Sequence, residues 1–127
     1  MGLERKMIGS IGEDIACSHL MRKGYMVVER NLSTKCGEID IIARKAKRTI
    51  FVEVKTRASF SLGPPYISIT REKSRHMIHS AMLYLSWKDL SDTPWQIDVI
   101  SINIDSDNKV VALEHFENAI ERDGSFI

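Results

Sequence analysis

Two neighbouring stretches decide how this chain reads: Gly37-Glu38-Ile39-Asp40-Ile41-Ile42-Ala43 and Phe51-Val52-Glu53-Val54-Lys55-Thr56-Arg57. Both are rich in β-branched and aromatic residues, and a basic turn, Arg44–Arg48, separates them. They read as strands Glu38–Ala43 and Thr49–Thr56 of one hairpin. Side chains alternate across a strand, so Glu53 and Lys55 share one face while Val52 and Val54 take the other. Asp40, on the partner strand, can reach the same patch. Carboxylates and an ammonium set among apolar neighbours are costly to bury unless something compensates for them. A divalent cation would do so. Mg²⁺ takes oxygen ligands, commonly one or two carboxylates, with water and substrate phosphate completing its shell. Asp40 and Glu53 are the candidate carboxylates, and the backbone carbonyl of Val54 is a candidate third ligand. Such a metal would polarise a phosphoryl oxygen and activate a water. Lys55 could orient that water or offset charge in the transition state. Taken alone, a Glu-x-Lys triplet reads better as a strand ion pair; the Asp on the adjacent strand turns the reading toward a site.

Outward from the hairpin, residues 4 to 23 read as a helix, with Met7, Ile11 and Ile15 at four-residue spacing and Gly24 as a stop. A second stripe, Gly9, Gly12, Glu13, Ala16, Cys17 and Leu20, sets Glu13 among small residues, where the helix can approach another element closely. From there Glu13 could join the metal shell. Tyr25–Arg30 reads as a strand and Asn31–Gly37 as a turn. After a loop, Ser59–Pro65, the pattern is helical from about Thr70 to Lys88. Trp95–Ile104 and Val110–Leu113 read as strands joined by the turn Asp105–Asn108, and Glu114–Arg122 as a short final helix. The order α-β-β-β-α-β-β-α gives an α/β sandwich with a mixed five-stranded sheet flanked by helices.

With 127 residues, 43% hydrophobic and 28% charged, the chain is sized for a single domain spanning residues 1–127 and is not disordered or low-complexity in composition. No apolar run approaches the ~20 residues of a membrane-spanning helix, and the N-terminus lacks a signal-peptide apolar core. Two cysteines, Cys17 and Cys36, form no disulfide framework, so a cytoplasmic setting without membrane attachment is the expectation. The net charge of +1 conceals an asymmetry: residues 1–80 hold 15 Lys and Arg against 8 Asp and Glu, and residues 81–127 hold 3 against 9. A basic face for an anionic partner fits that division.

Asp40 followed by Glu53-Val54-Lys55 resembles the PD-(D/E)XK signature of restriction-endonuclease-like proteins. Over residues 12 to 100 the chain resembles the YraN-like family more closely. The matching pieces include Gly12-Glu13, Gly24-Tyr25, Arg30-Asn31, Gly37-Glu38-Ile39-Asp40, Phe51 to Arg57, Gly63-Pro64, Lys73, Tyr84-Leu85 and Asp98-Val99-Ile100. That family is in turn similar to archaeal Holliday-junction resolvases, where a helix-one Glu, an Asp and a Glu-x-Lys form the metal site. The resemblance implies the restriction-endonuclease-like fold, and it carries those roles onto Glu13, Asp40, Glu53 and Lys55. Two departures stand out. Gln96-Ile97 replaces the family's Arg-Phe, removing a charge beside Asp98, and Leu62 replaces a Phe before Gly63-Pro64.

The expected function is a Mg²⁺- or Mn²⁺-dependent endonuclease that hydrolyses phosphodiester bonds in DNA, branched or structured DNA included. Arg44, Lys45, Lys47 and Arg48 could contact a phosphate backbone or form a solvated turn. Arg57 could contact substrate or make a surface ion pair, and Lys73, which matches the family, could reach a phosphate near the metal. The alternative function is a non-catalytic nucleic-acid-binding or adaptor domain that keeps the fold; a third is an interaction protein whose metal only stabilises it. A homodimer is a further expectation, because the similar resolvases cut two symmetric strands. His19 and His115 read as ordinary surface or boundary residues. Trp87 and Trp95 read as anchors of the loop between them.

Overall fold

The protein is described by a computed structural model that covers residues 2–58 and 69–125. The elements run α1 (Gly2–Arg22), β1 (Met26–Thr34), β2 (Gly37–Lys45), β3 (Arg48–Ala58), α2 (Arg71–Trp87), β4 (Trp95–Ile104) and β5 (Val110–Phe116). The five strands form one sheet in the order β1-β2-β3-β4-β5. Only the β3–β4 pairing is parallel, and α2 makes the crossover that a parallel pair requires. The expected loop at residues 59–65 lies outside the described residues.

Strand alternation divides the core into two layers. Ile41, Ala43, Ile50, Val52, Ile100 and Ile102 pack with Ala16, Cys17 and Leu20 of α1. Ile42, Phe51, Ile97 and Val99 pack with Met77, Ile78, Ala81 and Leu85 of α2. This is the expected α/β sandwich, a mixed sheet flanked by helices, with the restriction-endonuclease-like arrangement. Among the described residues, no helix is long and apolar enough to cross a membrane.

Three segments depart from the sequence expectation. First, β1 continues through Thr34 instead of turning at Asn31, with Leu32↔Ile39 and Thr34↔Gly37 in register. Its outer half is polar because an edge strand can face water, and Asn31 keeps its place with a left-handed φ of 53°. The turn shrinks to Lys35-Cys36, where the Thr34 hydroxyl accepts from the Cys36 amide and donates to the Gly37 carbonyl. Second, the final helix does not form. Glu114, His115 and Phe116 pair with Ser101, Ile100 and Val99 as strand. Beyond them Asn118 turns with φ 48°, and the Ala119 amide donates to the Ile97 carbonyl. Phe116, Ala119 and Ile120 have helical spacing, but they pack against the α2 layer as a crossing segment. Third, Trp95 is anchored edge-on to Phe51, whereas Trp87 is exposed.

The α1 contact also differs in emphasis. Met7 is exposed, and the small-residue stripe makes the close approach. A Cβ on Gly12 would overlap the Thr56 side chain of β3, while one on Gly9 would meet open space. Gly12→Ala should therefore destabilise by roughly 1–3 kcal/mol through overpacking. Gly9→Ala should be neutral or stabilising by up to about 1 kcal/mol, because alanine is the better helix former. Denaturant unfolding of both variants checks this, and equal effects would remove the close-approach argument.

Candidate metal centre

The hairpin pairing of β2 with β3 runs from Lys45↔Arg48 at the tip to Ile41↔Val52. Asp40 and Glu53 come immediately after that last pair. Here a side chain takes over from the backbone: the Val54 amide donates to Asp40 Oδ2 at 2.8 Å. Glu53 is buried, with 7% of its surface exposed, and Lys73 Nζ of α2 stands 3.0 Å from its Oε2. Glu13, Asp40, Glu53, Lys55, Arg57 and Lys73 line one open cleft of about 780 Å³, together with Val54.

The electrostatics are those of a carboxylate pair holding one proton. Burial, then the hydrogen bond with Glu53 and its charge, push Asp40 up to about 8, against the opposing pull of the Val54 amide. Burial would also raise Glu53. The hydrogen bond from Asp40 and the ammonium groups of Lys73 and Lys55 outweigh it and hold Glu53 below the usual carboxylate range. Burial, then the adjoining Lys73, push Lys55 down. Burial opposes the charge on Lys73, but the hydrogen bond with Lys55 and the nearby Glu53 and Asp40 raise it overall. A shared proton and an ammonium already neutralise the two carboxylates. The donor set therefore suits a hard divalent cation, which could replace both.

The site residues expected from sequence fall into three groups. Asp40, Glu53, Val54, Lys55, Arg57 and Lys73 are brought together. Glu13 reaches the same cleft, but Arg30 draws on it at 3.6 Å while binding Asp14 at 2.9 Å. Arg44, Lys45, Lys47 and Arg48 are not part of the cleft. Arg48 is five residues along β3 from Glu53, about 16 Å at strand rise. Arg44 donates to Thr49 Oγ1 at 3.2 Å, and the Lys45 ammonium sits 4.5 Å from the centre of the Tyr25 ring. Arg57 donates to Asn103 Oδ1 at 3.1 Å.

A second polar cluster was not anticipated. Asp98 is fully buried; its Oδ1 accepts from Gln96 Nε2 and the Asn118 amide, and its Oδ2 lies 2.8 Å from His115 Nε2. His115 Nδ1 is hydrogen-bonded to His19 Nε2 of α1, and the Tyr25 hydroxyl donates to Glu117. His19 and His115 are thus boundary residues, as expected, that also pair across the fold. Burial, then His115, hold His19 below the usual histidine range. Gln96 supplies the contact to Asp98 despite lacking an arginine's charge. Donor atoms of Asp98, His115 and Glu117 lie within 4.8 Å of one another, a spacing a metal could use. Each of these residues already has a protein partner, so the cluster is complete as a network joining α1 to β4 and β5. The bare spacing of His19, Asp98 and His115 carries no signal of this, because β5 was expected to end before His115.

The mixed five-stranded sheet between two helices is a sandwich of the restriction-endonuclease-like class. The comparisons narrow that to one family. The model described as Uncharacterised protein family UPF0102 matches residues 12–102, and the chain belongs to that family, the YraN-like family it resembles. A UPF0102 protein of Geotalea uraniireducens is 43% identical over 118 residues, covering 93% of this chain and 92% of the relative. One from Geobacter metallireducens is 40% identical, covering 95% and 98%, and one from Clostridium perfringens is 41% identical, covering 90% and 93%.

Two outcomes follow from this geometry. In metal-free buffer the folded chain keeps a proton on Asp40 that the unfolded chain loses near pH 4. The stability this confers is present below about pH 4 and is lost as pH rises toward about 8. Asp40→Asn should abolish that loss, so its melting temperature should pull ahead of the parent's between pH 4 and 8; a gap independent of pH would contradict it. Separately, His115→Ala strips a partner from buried Asp98 and should cost about 2–4 kcal/mol in urea unfolding.

Proposed function

We propose that this protein is a divalent-metal-dependent nuclease that hydrolyses phosphodiester bonds in DNA, with branched or otherwise structured DNA among its substrates. The observation that carries the reading is that buried Glu53 and half-buried Asp40, the latter held by the Val54 amide, face one open cleft together with Lys55. A purely binding surface for phosphate would gain nothing from carboxylates that repel it.

Asp40, Glu53 and the Val54 carbonyl would hold Mg²⁺ or Mn²⁺, and Glu13 would support the shell from α1. Bound there, the ion supplies Lewis-acid polarisation of the phosphoryl group and a more acidic water. The chain's own residues do the rest. Asp40 is fixed by the Val54 amide, so its free oxygen keeps one direction. Lys55 projects from the same strand as Glu53, and its lowered proton affinity suits it to orient the attacking water or accept its proton. Arg57, farther along β3, and Lys73, at the start of α2, flank the cleft and can bind phosphates on either side of the scissile bond. The basic hairpin tip lies at the other end of β3, where it could hold a distant stretch of the same backbone.

The test incubates the purified protein with labelled single-stranded, duplex, flap and four-way-junction DNA, and with RNA, in Mg²⁺, Mn²⁺ or EDTA. Metal-dependent cleavage is expected, falling by at least about 10²-fold in Lys55→Ala and lost in Asp40→Asn and Glu53→Gln. Binding without cleavage under every metal would overturn the nuclease and leave a DNA-binding adaptor. Cleavage that survives both carboxylate variants would mean the chemistry lies elsewhere.

A further inference from the structure

Among the described residues, Lys73 is the one cation lining the cleft that comes from outside the hairpin. It belongs to the first turn of α2, beneath the Thr70 cap that accepts from its backbone amide. Its ammonium reaches across to Glu53 Oε2 at 3.0 Å, although its side chain is 42% exposed. Lys55 is different: it rises from β3, the strand that also carries Glu53, two residues beyond it. Glu53 is therefore neutralised by a charge on a long, half-solvated stem that can swing away, at the face where a metal ligand is needed.

We propose that Lys73 is the resident counter-ion of the metal-free site and leaves Glu53 when a divalent cation enters. This inference rests on the reading of Asp40 and Glu53 as metal ligands and adds what happens to the chain on loading. With the Lys73 ammonium in place, a divalent ion would leave two carboxylates facing three positive charges even before Lys55 is counted. Cations sharing one buried carboxylate repel strongly where water screens poorly. Lys73 can relieve that because solvent and the open cleft are within reach of its stem. Once released, its ammonium stays at the cleft mouth beside Arg57, where a substrate phosphate is the anion that would take it. Lys73 thus competes with the metal before substrate arrives and serves the substrate afterwards.

The competition gives an unusual sign. Mn²⁺ binding is measured by titration calorimetry at fixed pH for the parent, Lys73→Met and Lys73→Gln, each checked for folding by circular dichroism. Both variants should bind Mn²⁺ more tightly than the parent, by about tenfold, as expected for removing one competing charge. In the parent, acylation of the Lys73 amine, followed by peptide mass spectrometry, should speed up severalfold when Mn²⁺ is added. That second readout separates departure of the ammonium from mere repulsion. Unchanged or weaker Mn²⁺ binding in the variants overturns the proposal, as does a Lys73 amine that stays shielded in saturating Mn²⁺. If the parent binds Mn²⁺ and either result goes the wrong way, only the counter-ion role falls. If neither parent nor variants bind Mn²⁺, the metal-ligand reading falls and takes this one with it.

Discussion

The constraint on which the rest of the structure depends is a pair of carboxylates placed side by side where the β2–β3 pairing ends. Two such groups cannot both ionise in a poorly hydrated site without compensation. Their neighbours supply it from three directions: a shared proton, the Val54 amide on Asp40, and the lysine ammoniums around Glu53. The pair sits where the β2–β3 pairing ends, so a carboxylate can take a backbone donor that would otherwise go to a neighbouring strand. Strand alternation then sends Glu53 toward α2 and its lysine, while Val52 stays in the α1 layer. The core around the pair is dense in isoleucine and valine on both sides of the sheet, which is what makes the carboxylates expensive and their partners necessary.

The sheet also separates two kinds of polar burial. Asp98, on β4 opposite Val52, is enclosed more completely than Asp40, yet each of its oxygens meets a donor or a histidine from the surrounding segments. Its partners come from β4 itself, β5 and the turn after it, and His19 extends the chain of bonds to α1. That arrangement satisfies a charge by closing around it. The Asp40–Glu53 pair instead opens onto a cleft and is balanced by a half-exposed lysine. One cluster holds elements together; the other keeps its groups accessible, and the contrast in exposure is the physical difference between them.

Much of this was legible from residue types and their spacing. Alternation around Glu53 placed it and Lys55 on one face, and the fold then brought Asp40, Arg57 and Lys73 to the same opening. Both helices and the central strands appeared where apolar spacing put them, because a core-facing element must repeat its apolar residues with its own period. The failures came where burial is one-sided or absent. Polar Ser33 and Thr34 look like a turn, yet they finish an edge strand whose outward side meets water. The spacing of Phe116, Ala119 and Ile120 looks helical, yet it belongs to a strand end and a crossing segment that reach the same apolar layer by another path. The basic tip belongs to the same hairpin as the site, yet strand rise sets Arg48 about 16 Å from Glu53. The Asp98 network was invisible because its members are scattered from residue 19 to residue 118, and only the folded sheet makes them neighbours.

Glu13 shows how far local sequence can position a group and where tertiary structure decides. The small residues around it let α1 approach β3 until Gly12 rests on Thr56, and that approach puts Glu13 on the rim of the cleft. The same approach brings α1 close to β1, where Arg30 lies within reach of both Glu13 and Asp14. Asp14 takes the shorter contact and is well exposed, so solvent weakens that pair. Glu13 is the more enclosed of the two, and its longer contact with Arg30 leaves it the freer to turn toward the cleft. Arg30 thereby sets a balance: one of its nitrogens serves both carboxylates, and with Asp14 taking the shorter contact Glu13 stays on the cleft that Asp40 also lines. A helix of large residues would have stood farther off, and the cleft would have lost its third carboxylate.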